Sequence, residues 1–461
     1  MITLASVRVG RGTALPSPAV DILSTGQGGG PPWPPVRDTR ATARRVTQES
    51  YHRLSDAKKR LTKRAVNSFL RLMPKDLLKD SGNRASGKAQ KEVTGLFPKP
   101  LVKLLILSLL LLGLPPLGVL LSGKDPAPYL AFPPVTRLVI QPRFSWLVFL
   151  SLAPLPIAAA ALFAAWLRLP PAGADPPFQK TKRPFPWWGR LGVILLAAAW
   201  VMAWTRFAWF ARWQSFTFSP LWTAYIIVIN ALTFQRTGRC LLTSRPGLLI
   251  ALFPFSASFW WYFEYLNRFV QNWHYVGAAA MSPMEYFLLA TPPFATVLPA
   301  VSSTTEWLET FPTLGRERKG PLTPAPRRPR LAAWLALLLA AAGLTGIGVR
   351  PQYLFPLLWL SPLAIILALE ALSGEETVFA KARAGDWRPV LLPAAAGLLC
   401  GLLWEMWNYF SFARWEYTVP FVQRFQVFEM PILGYAGYLP FGLFCSVVSE
   451  EFARLTNYVI I

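Results

Sequence analysis

Two stretches of the chain set carboxylates among tryptophans and tyrosines inside apolar runs. The first reads Trp260-Trp261-Tyr262-Phe263-Glu264-Tyr265-Leu266-Asn267, then Trp273-His274-Tyr275, then Pro283-Met284-Glu285. The second reads Trp404-Glu405-Met406-Trp407-Asn408, then Trp415-Glu416-Tyr417, then Phe428-Glu429-Met430-Pro431. Carboxylates are costly at membrane depth, so a pair recurring at matched positions points to function. Burial disfavours the charged form of a carboxyl, and a general acid working near neutral pH needs that shift. Glu264 and Asn267 lie three positions apart, as do Glu405 and Asn408, so each pair shares a helix face. The spacing predicts that each Asn hydrogen-bonds its carboxyl and fixes its orientation. Glu285 and Glu429 open the next apolar runs and return toward the same level, giving four candidate acid–base groups. Trp261, Trp273, Trp404, Trp407 and Trp415 stand around them as candidate binding residues. Such ring faces stabilise a cation within about 6 Å of the centroid. The alternative is structural: an aromatic belt at the membrane surface, with glutamates that reach water or favour helix N-termini.

The elements that carry these residues are read from the hydropathy. The chain has 461 residues, 53% of them hydrophobic and 15% charged, with a mean hydropathy of +0.35. Soluble domains carry about 25% charged residues, so this composition indicates a membrane protein. The formal net charge of +24 is concentrated in the N-terminal stretch and in alternate loops, and no nucleic-acid recognition module accompanies it. Three separated cysteines and two histidines, His52 and His274, leave no disulfide framework and no histidine-rich metal site. No cofactor motif is present: phosphate loops, nucleophile elbows and zinc signatures are all missing.

Apolar runs near the ~20 residues that cross a bilayer occupy 100–121, 145–167, 191–211, 219–235, 246–265, 284–301, 331–348, 353–372, 389–408 and 430–448. The fold class expected is all-α, a polytopic bundle of about ten spans. Loops at 168–190, 236–245, 302–330 and 373–388 are rich in Lys and Arg. The positive-inside rule then puts these loops and both termini in the cytoplasm, as in a bacterial inner-membrane protein. Residues 1–95 read as a basic, largely disordered tail without the apolar segment of a signal peptide. Within it 61–73 has the spacing of a basic amphipathic helix, and Met73 is an alternative start.

The last eight runs divide into two matching sets. Phe218-Ser219-Pro220-Leu221-Trp222 answers to Phe355-Pro356-Leu357-Leu358-Trp359. Glu264 follows Leu232, and Glu405 follows Leu372, at nearly the same interval. The domains expected are the tail 1–95, two leading helices in 96–186, and four-helix repeats in 187–325 and 326–461. An even number of spans keeps both repeats in one orientation, related by a pseudo-two-fold axis along the membrane normal. Both patches then face the outer side. Gly434 and Gly437 suggest close helix contact in the last run.

At these residues the chain resembles, distantly, the integral-membrane lycopene cyclase domain of carotenoid synthesis. That family has an acidic residue in a Trp-rich helix end, a downstream Trp, then Pro-x-Glu-Glu opening the next helix. Glu264, Trp273 and Pro283-Met284-Glu285-Tyr286 follow that order, and Glu405, Trp415 and Glu429 follow it more loosely. Tyr286 and Met430 stand where the family has its second Glu. The resemblance implies a membrane lipid or isoprenoid ligand and acid catalysis on it. A transporter or ion pathway lined by the four carboxylates, and a non-catalytic scaffold, are the other readings.

Overall fold

Proline and small residues, as much as hydrophobicity, set where the helices of this chain begin, break and touch. The computed structural model describes residues 100–170, 183–318, 320 and 325–459. All of them belong to one unit, Asp76–Ile461. The expected disordered tail and the amphipathic stretch 61–73 lie outside the described residues.

The principal helices are α1 (Pro100–Leu121), α2 (Trp146–Leu152), α3 (Pro154–Arg168), α4 (Trp187–Trp204), α5 (Phe218–Thr237) and α6 (Pro246–Val270). They continue with α7 (Pro283–Phe294), α8 (Val297–Glu309), α9 (Pro329–Val349), α10 (Leu357–Leu372), α11 (Arg388–Tyr409) and α12 (Tyr438–Val459). Among the described residues, eight helical segments are long and apolar enough to cross a membrane, or nine if one bent pair is a single span. These are the elements of a multi-pass membrane protein.

Each of the ten expected runs falls on helix, but two fall short of a plain span. The 3-10 segment Ala208–Phe216 meets α5 at 69°, so the run at 219–235 belongs to a broken pair. Helix α10 has 16 residues, rising about 24 Å at ~1.5 Å per residue, less than the ~30 Å hydrocarbon core. The all-α expectation also missed four short strands, β1 (Trp273–Tyr275), β2 (Trp415–Tyr417), β3 (Gln426–Val427) and β4 (Met430–Pro431).

Two local devices hold the helices that carry the site. Pro292 and Pro293 deprive α7 of amide donors, and the chain breaks there before α8 begins. Ser256 of α6 repairs the break: its hydroxyl donates to the Phe294 carbonyl at 2.7 Å and accepts the Leu298 amide at 3.0 Å. Helices α11 and α12 touch backbone to backbone, because a Cβ on Gly397 would lie 2.5 Å from the Gly442 Cα. Gly434 and Gly437, where close helix contact was expected, lie in the 3-10 segment before α12; a Cβ on Gly437 would meet Trp359 of α10 at an ordinary 3.7 Å, and one on Gly434 would meet Met430 of β4. Of the leading helices, α1 packs on α9, where a Cβ on Gly118 would lie 1.9 Å from the Thr345 carbonyl oxygen.

The main core draws on α5, α6 and α8 together with α9 to α12. Helix α4 pairs with α5 and α9 with α10, while α6 packs on α7 and α8 and α11 packs on α12. Helix α8 also packs on α11, joining the two sets.

Candidate functional site

Each patch is built by a helix that hands over to a strand through an asparagine. Helix α6 is closed by Gln271, its C-cap, which takes a left-handed φ of 55°. The Asn267 amide donates to the Trp273 carbonyl at 2.7 Å, and its oxygen accepts the Asn272 amide at 2.8 Å and the Trp273 amide at 3.4 Å. In the second patch the Asn408 amide donates to the Trp415 carbonyl at 2.8 Å and its oxygen accepts the Trp415 amide at 2.9 Å. This corrects the expectation that Asn holds the carboxyl. It holds the strand, and the strand holds the carboxyl.

Strands β1 and β2 pair antiparallel, with Trp273 opposite Tyr417, His274 opposite Glu416 and Tyr275 opposite Trp415. Alternate side chains of a strand share a face, so Trp273 and Tyr275 point one way together, as do Trp415 and Tyr417. The shared face carries the donors that meet the carboxylates. One oxygen of Glu264 accepts from the Trp260 indole at 3.0 Å, the Trp273 indole at 3.0 Å and the Tyr275 hydroxyl at 2.7 Å. One oxygen of Glu405 accepts from the hydroxyls of Tyr417 at 2.7 Å and Tyr438 at 2.6 Å. Trp415 donates in turn to the Tyr417 hydroxyl at 2.8 Å. Both glutamates and both asparagines are fully buried. The second oxygen, Oε2, of each glutamate has no hydrogen-bond partner among the described residues. Burial, and then the neighbouring Glu264 or Glu405, push the Tyr275 and Tyr417 phenols well above their usual range, which keeps them as donors.

These donors wall a single pocket between the patches, with a cavity volume of about 180 Å³. Trp260, Trp273, Tyr275, Tyr286 and Phe294 line one side, and Trp404, Trp415, Tyr417, Met430 and Tyr438 the other. Trp359 and Phe441 complete the wall, and among the described residues Arg414 is its one charged member. The carboxylates stand behind this wall, in reach of a ligand only through the indoles and hydroxyls they hold. An apolar cavity of ~150 Å³ takes a benzene ring, so the space suits the ring-sized end of an apolar molecule.

The other sequence candidates are dispersed. Glu285 is exposed and closes a capping box, accepting the Ser282 amide at 2.8 Å while its own amide donates to the Ser282 hydroxyl at 3.3 Å. Its neighbour Tyr286 reaches the pocket instead. Glu429 lies outside the lining while Met430 lies in it. Burial and then Glu416 raise the Glu429 carboxyl, against a lowering by Arg414. Trp261 donates to the Thr291 hydroxyl at 3.1 Å and stacks on Phe287. Trp407 is buried against Trp222 at 5.0 Å between ring centroids. Trp273, Trp404 and Trp415 do line the pocket. Arg268 serves the 126–133 loop, donating to the carbonyls of Pro128, Ala131 and Pro133. Among the described residues no group of three or more His, Cys, Asp or Glu side chains could hold a metal ion.

Sequence reasoning assigned no role to Tyr275, Tyr417 and Tyr438. The repeated Trp-x-Tyr of 273–275 and 415–417 was the available signal, since that alternation is a strand's. Tyr438 had no local signal, because it reaches Glu405 from the start of α12.

The contacts across the pocket are reciprocal. Trp222 of α5 packs on Trp404 at 5.0 Å, and Trp359 of α10 packs on Phe263 at 4.9 Å. Two further contacts are not counterparts of each other: Phe218 meets Trp415 at 5.4 Å, and Trp359 meets Trp273 at 5.9 Å. Compared with known proteins, the chain matches no family model, no curated protein and no solved structure.

Proposed function

We propose that this is a duplicated, lycopene-cyclase-like membrane protein that binds the apolar end of an isoprenoid or similar lipid and rearranges it by acid catalysis. The observation that carries this reading is the convergence of two fully buried glutamates on one aromatic pocket, each through hydroxyl or indole donors in the pocket wall. The duplication is supported by the matched Asn–strand locks and by the antiparallel pairing of β1 with β2, in which His274 faces Glu416. A two-fold axis through that pair would relate antiparallel neighbours, since Trp273 faces Tyr417 as Tyr275 faces Trp415. The basic loops favour a bacterial inner membrane with both termini and those loops cytoplasmic, so that the pocket faces the outer leaflet.

The chemistry balances within the molecule. A proton passes from one carboxyl, through a wall hydroxyl, to a carbon–carbon double bond, leaving a carbocation. A neighbouring double bond attacks that carbon and closes a ring. Loss of a proton to the other carboxylate restores an alkene, so product and substrate are isomers. Aromatic faces shelter the cation meanwhile. Tyr286 and Met430, standing where the resembled family has its second Glu, leave Glu264 and Glu405 as the two proton-exchanging groups at the pocket. The mostly apolar lining favours a lipid over an ion pathway.

Linear polyenes, lycopene among them, presented to the purified protein in liposomes test this. Conversion to a cyclic isomer is expected, with Glu264→Gln and Glu405→Gln each abolishing it while the protein stays folded in the membrane. Unchanged yield from both variants would overturn the reading, and Gln variants that alter only the melting temperature would leave a scaffold.

A further inference from the structure

The chain enters each Trp-x-Tyr strand through one polar residue, and the two stand at matched places on the pocket. Asn272 precedes Trp273, and Arg414 precedes Trp415. The Asn272 carbonyl accepts the Thr418 amide at 2.8 Å and the Arg414 carbonyl accepts the Val276 amide at 3.0 Å, closing the two ends of the β1–β2 pair. Both residues line the pocket, and with Ser215 they are the non-aromatic polar members of its lining among the described residues. Asn272 is 4% exposed, and its Oδ1 has no hydrogen-bond partner among the described residues. Tyr286, 3% exposed and also in the lining, has a hydroxyl in the same condition. The other wall hydroxyls, of Tyr275, Tyr417 and Tyr438, are committed to Glu264 and Glu405.

A buried polar atom without a partner is costly, and folded proteins keep few of them. A pocket for a bare hydrocarbon gains nothing from one, since an apolar side chain at 272 would complete the wall without that cost. An oxygen function on the ligand meets the need. A hydroxyl both donates and accepts, so it satisfies the Asn272 carboxamide whichever way the amide is turned, and a phenol equally. A phosphate does not suit the place. The one cation in the lining, Arg414, already donates to Glu416 at 3.1 Å. Glu416 also faces His274 at 3.8 Å, and Glu429 interacts with both Glu416 and Arg414. An anionic head group would meet these two carboxylates on arrival.

We propose that the pocket takes an uncharged, hydroxyl-bearing isoprenoid, and that Asn272 receives the hydroxyl and so selects this ligand over the bare hydrocarbon. The proposal rests on the isoprenoid-binding reading and names the substrate class within it. The remaining lining is aromatic and aliphatic, so the end that enters is hydrocarbon over most of its surface and carries the hydroxyl at the strand entry. A neutral hydrogen bond is worth about tenfold in affinity, which sets the preference expected between an alcohol and the hydrocarbon of the same skeleton.

Three tritiated probes of one skeleton test this: geranylgeraniol, its monophosphate, and the hydrocarbon with hydrogen in place of the hydroxyl. Scintillation proximity on the full-length protein captured in nanodiscs, with each probe at the same mole fraction in the bilayer, gives their relative affinities. The alcohol is expected to bind about tenfold more tightly than the hydrocarbon, and more tightly than the monophosphate. Asn272→Leu should erase the alcohol's advantage while the hydrocarbon binds as well as before or better. Equal binding of alcohol and hydrocarbon to the wild type would overturn the proposal and leave isoprenoid binding intact. Tighter binding of the monophosphate, or an Asn272→Leu protein that keeps the alcohol's advantage, would do the same. Binding of none of the three would overturn the isoprenoid reading itself, and this proposal with it. The wild-type comparison needs no variant, so it decides the matter whatever the leucine does to folding.

Discussion

Asn267 and Asn408 act at a distance of one strand from the groups they serve. Each is fully buried and satisfies backbone groups of the residue that starts β1 or β2, which in turn sets the Trp-x-Tyr side chains against a glutamate. Replacing Asn408 with Ala leaves the Trp415 amide and carbonyl without that partner, at a cost of about 1–3 kcal/mol for an unmet buried group. Thermal unfolding in detergent should show a lowered melting temperature for Asn408→Ala, and an unchanged one would place the strand's support elsewhere. The Glu–Asn pairs themselves were legible from spacing alone. Their division of work was not, because the asparagine's partner belongs to a strand that helical periodicity cannot announce. Glu285 illustrates the converse: Ser282 three residues before it is a capping-box signature, and the carboxyl is spent there.

At the scale of elements, the apolar runs were legible because a helix in contact with lipid is apolar all along its length, whether or not the protein buries it. All ten fall on helix, though among the described residues eight or nine segments qualify as spans. What was hidden is how closely the helices approach. Gly442 meets the Pro393 carbonyl so tightly that a Cβ would lie 2.1 Å from its oxygen, and backbone cannot rotate aside as a side chain would. Gly442→Ala should destabilise the protein by about 1–3 kcal/mol, the usual cost of overpacking. Because Tyr438 lies one turn away on α12, it should also loosen the Tyr438–Glu405 hydrogen bond. Gly113→Ala on α1, where a Cβ meets nothing within 4 Å, should be near neutral in the same melting assay. Equal losses for both variants would contradict the packing account. The break between α7 and α8 has the same moral. Pro292 and Pro293 announce it in sequence, while its repair by Ser256, on another helix, does not.

At the scale of the molecule, the patches are two walls of one room. The reciprocal packing of Trp222 on Trp404 and of Trp359 on Phe263 makes each half complete the other's wall. Sequence pointed to duplication through the paired motifs, yet the exchange of aromatic residues across the pocket needed coordinates, since it joins α5 to α11 and α10 to α6. The central claim is therefore about number: two patches, one ligand. Titrating the protein in nanodiscs with a linear polyene, and following both polyene absorbance and tryptophan quenching, counts the bound molecules directly. One polyene per chain is expected, with binding weakened alike by Trp273→Ala and by Trp404→Ala. Two per chain, each lost independently by one substitution, would contradict a shared pocket.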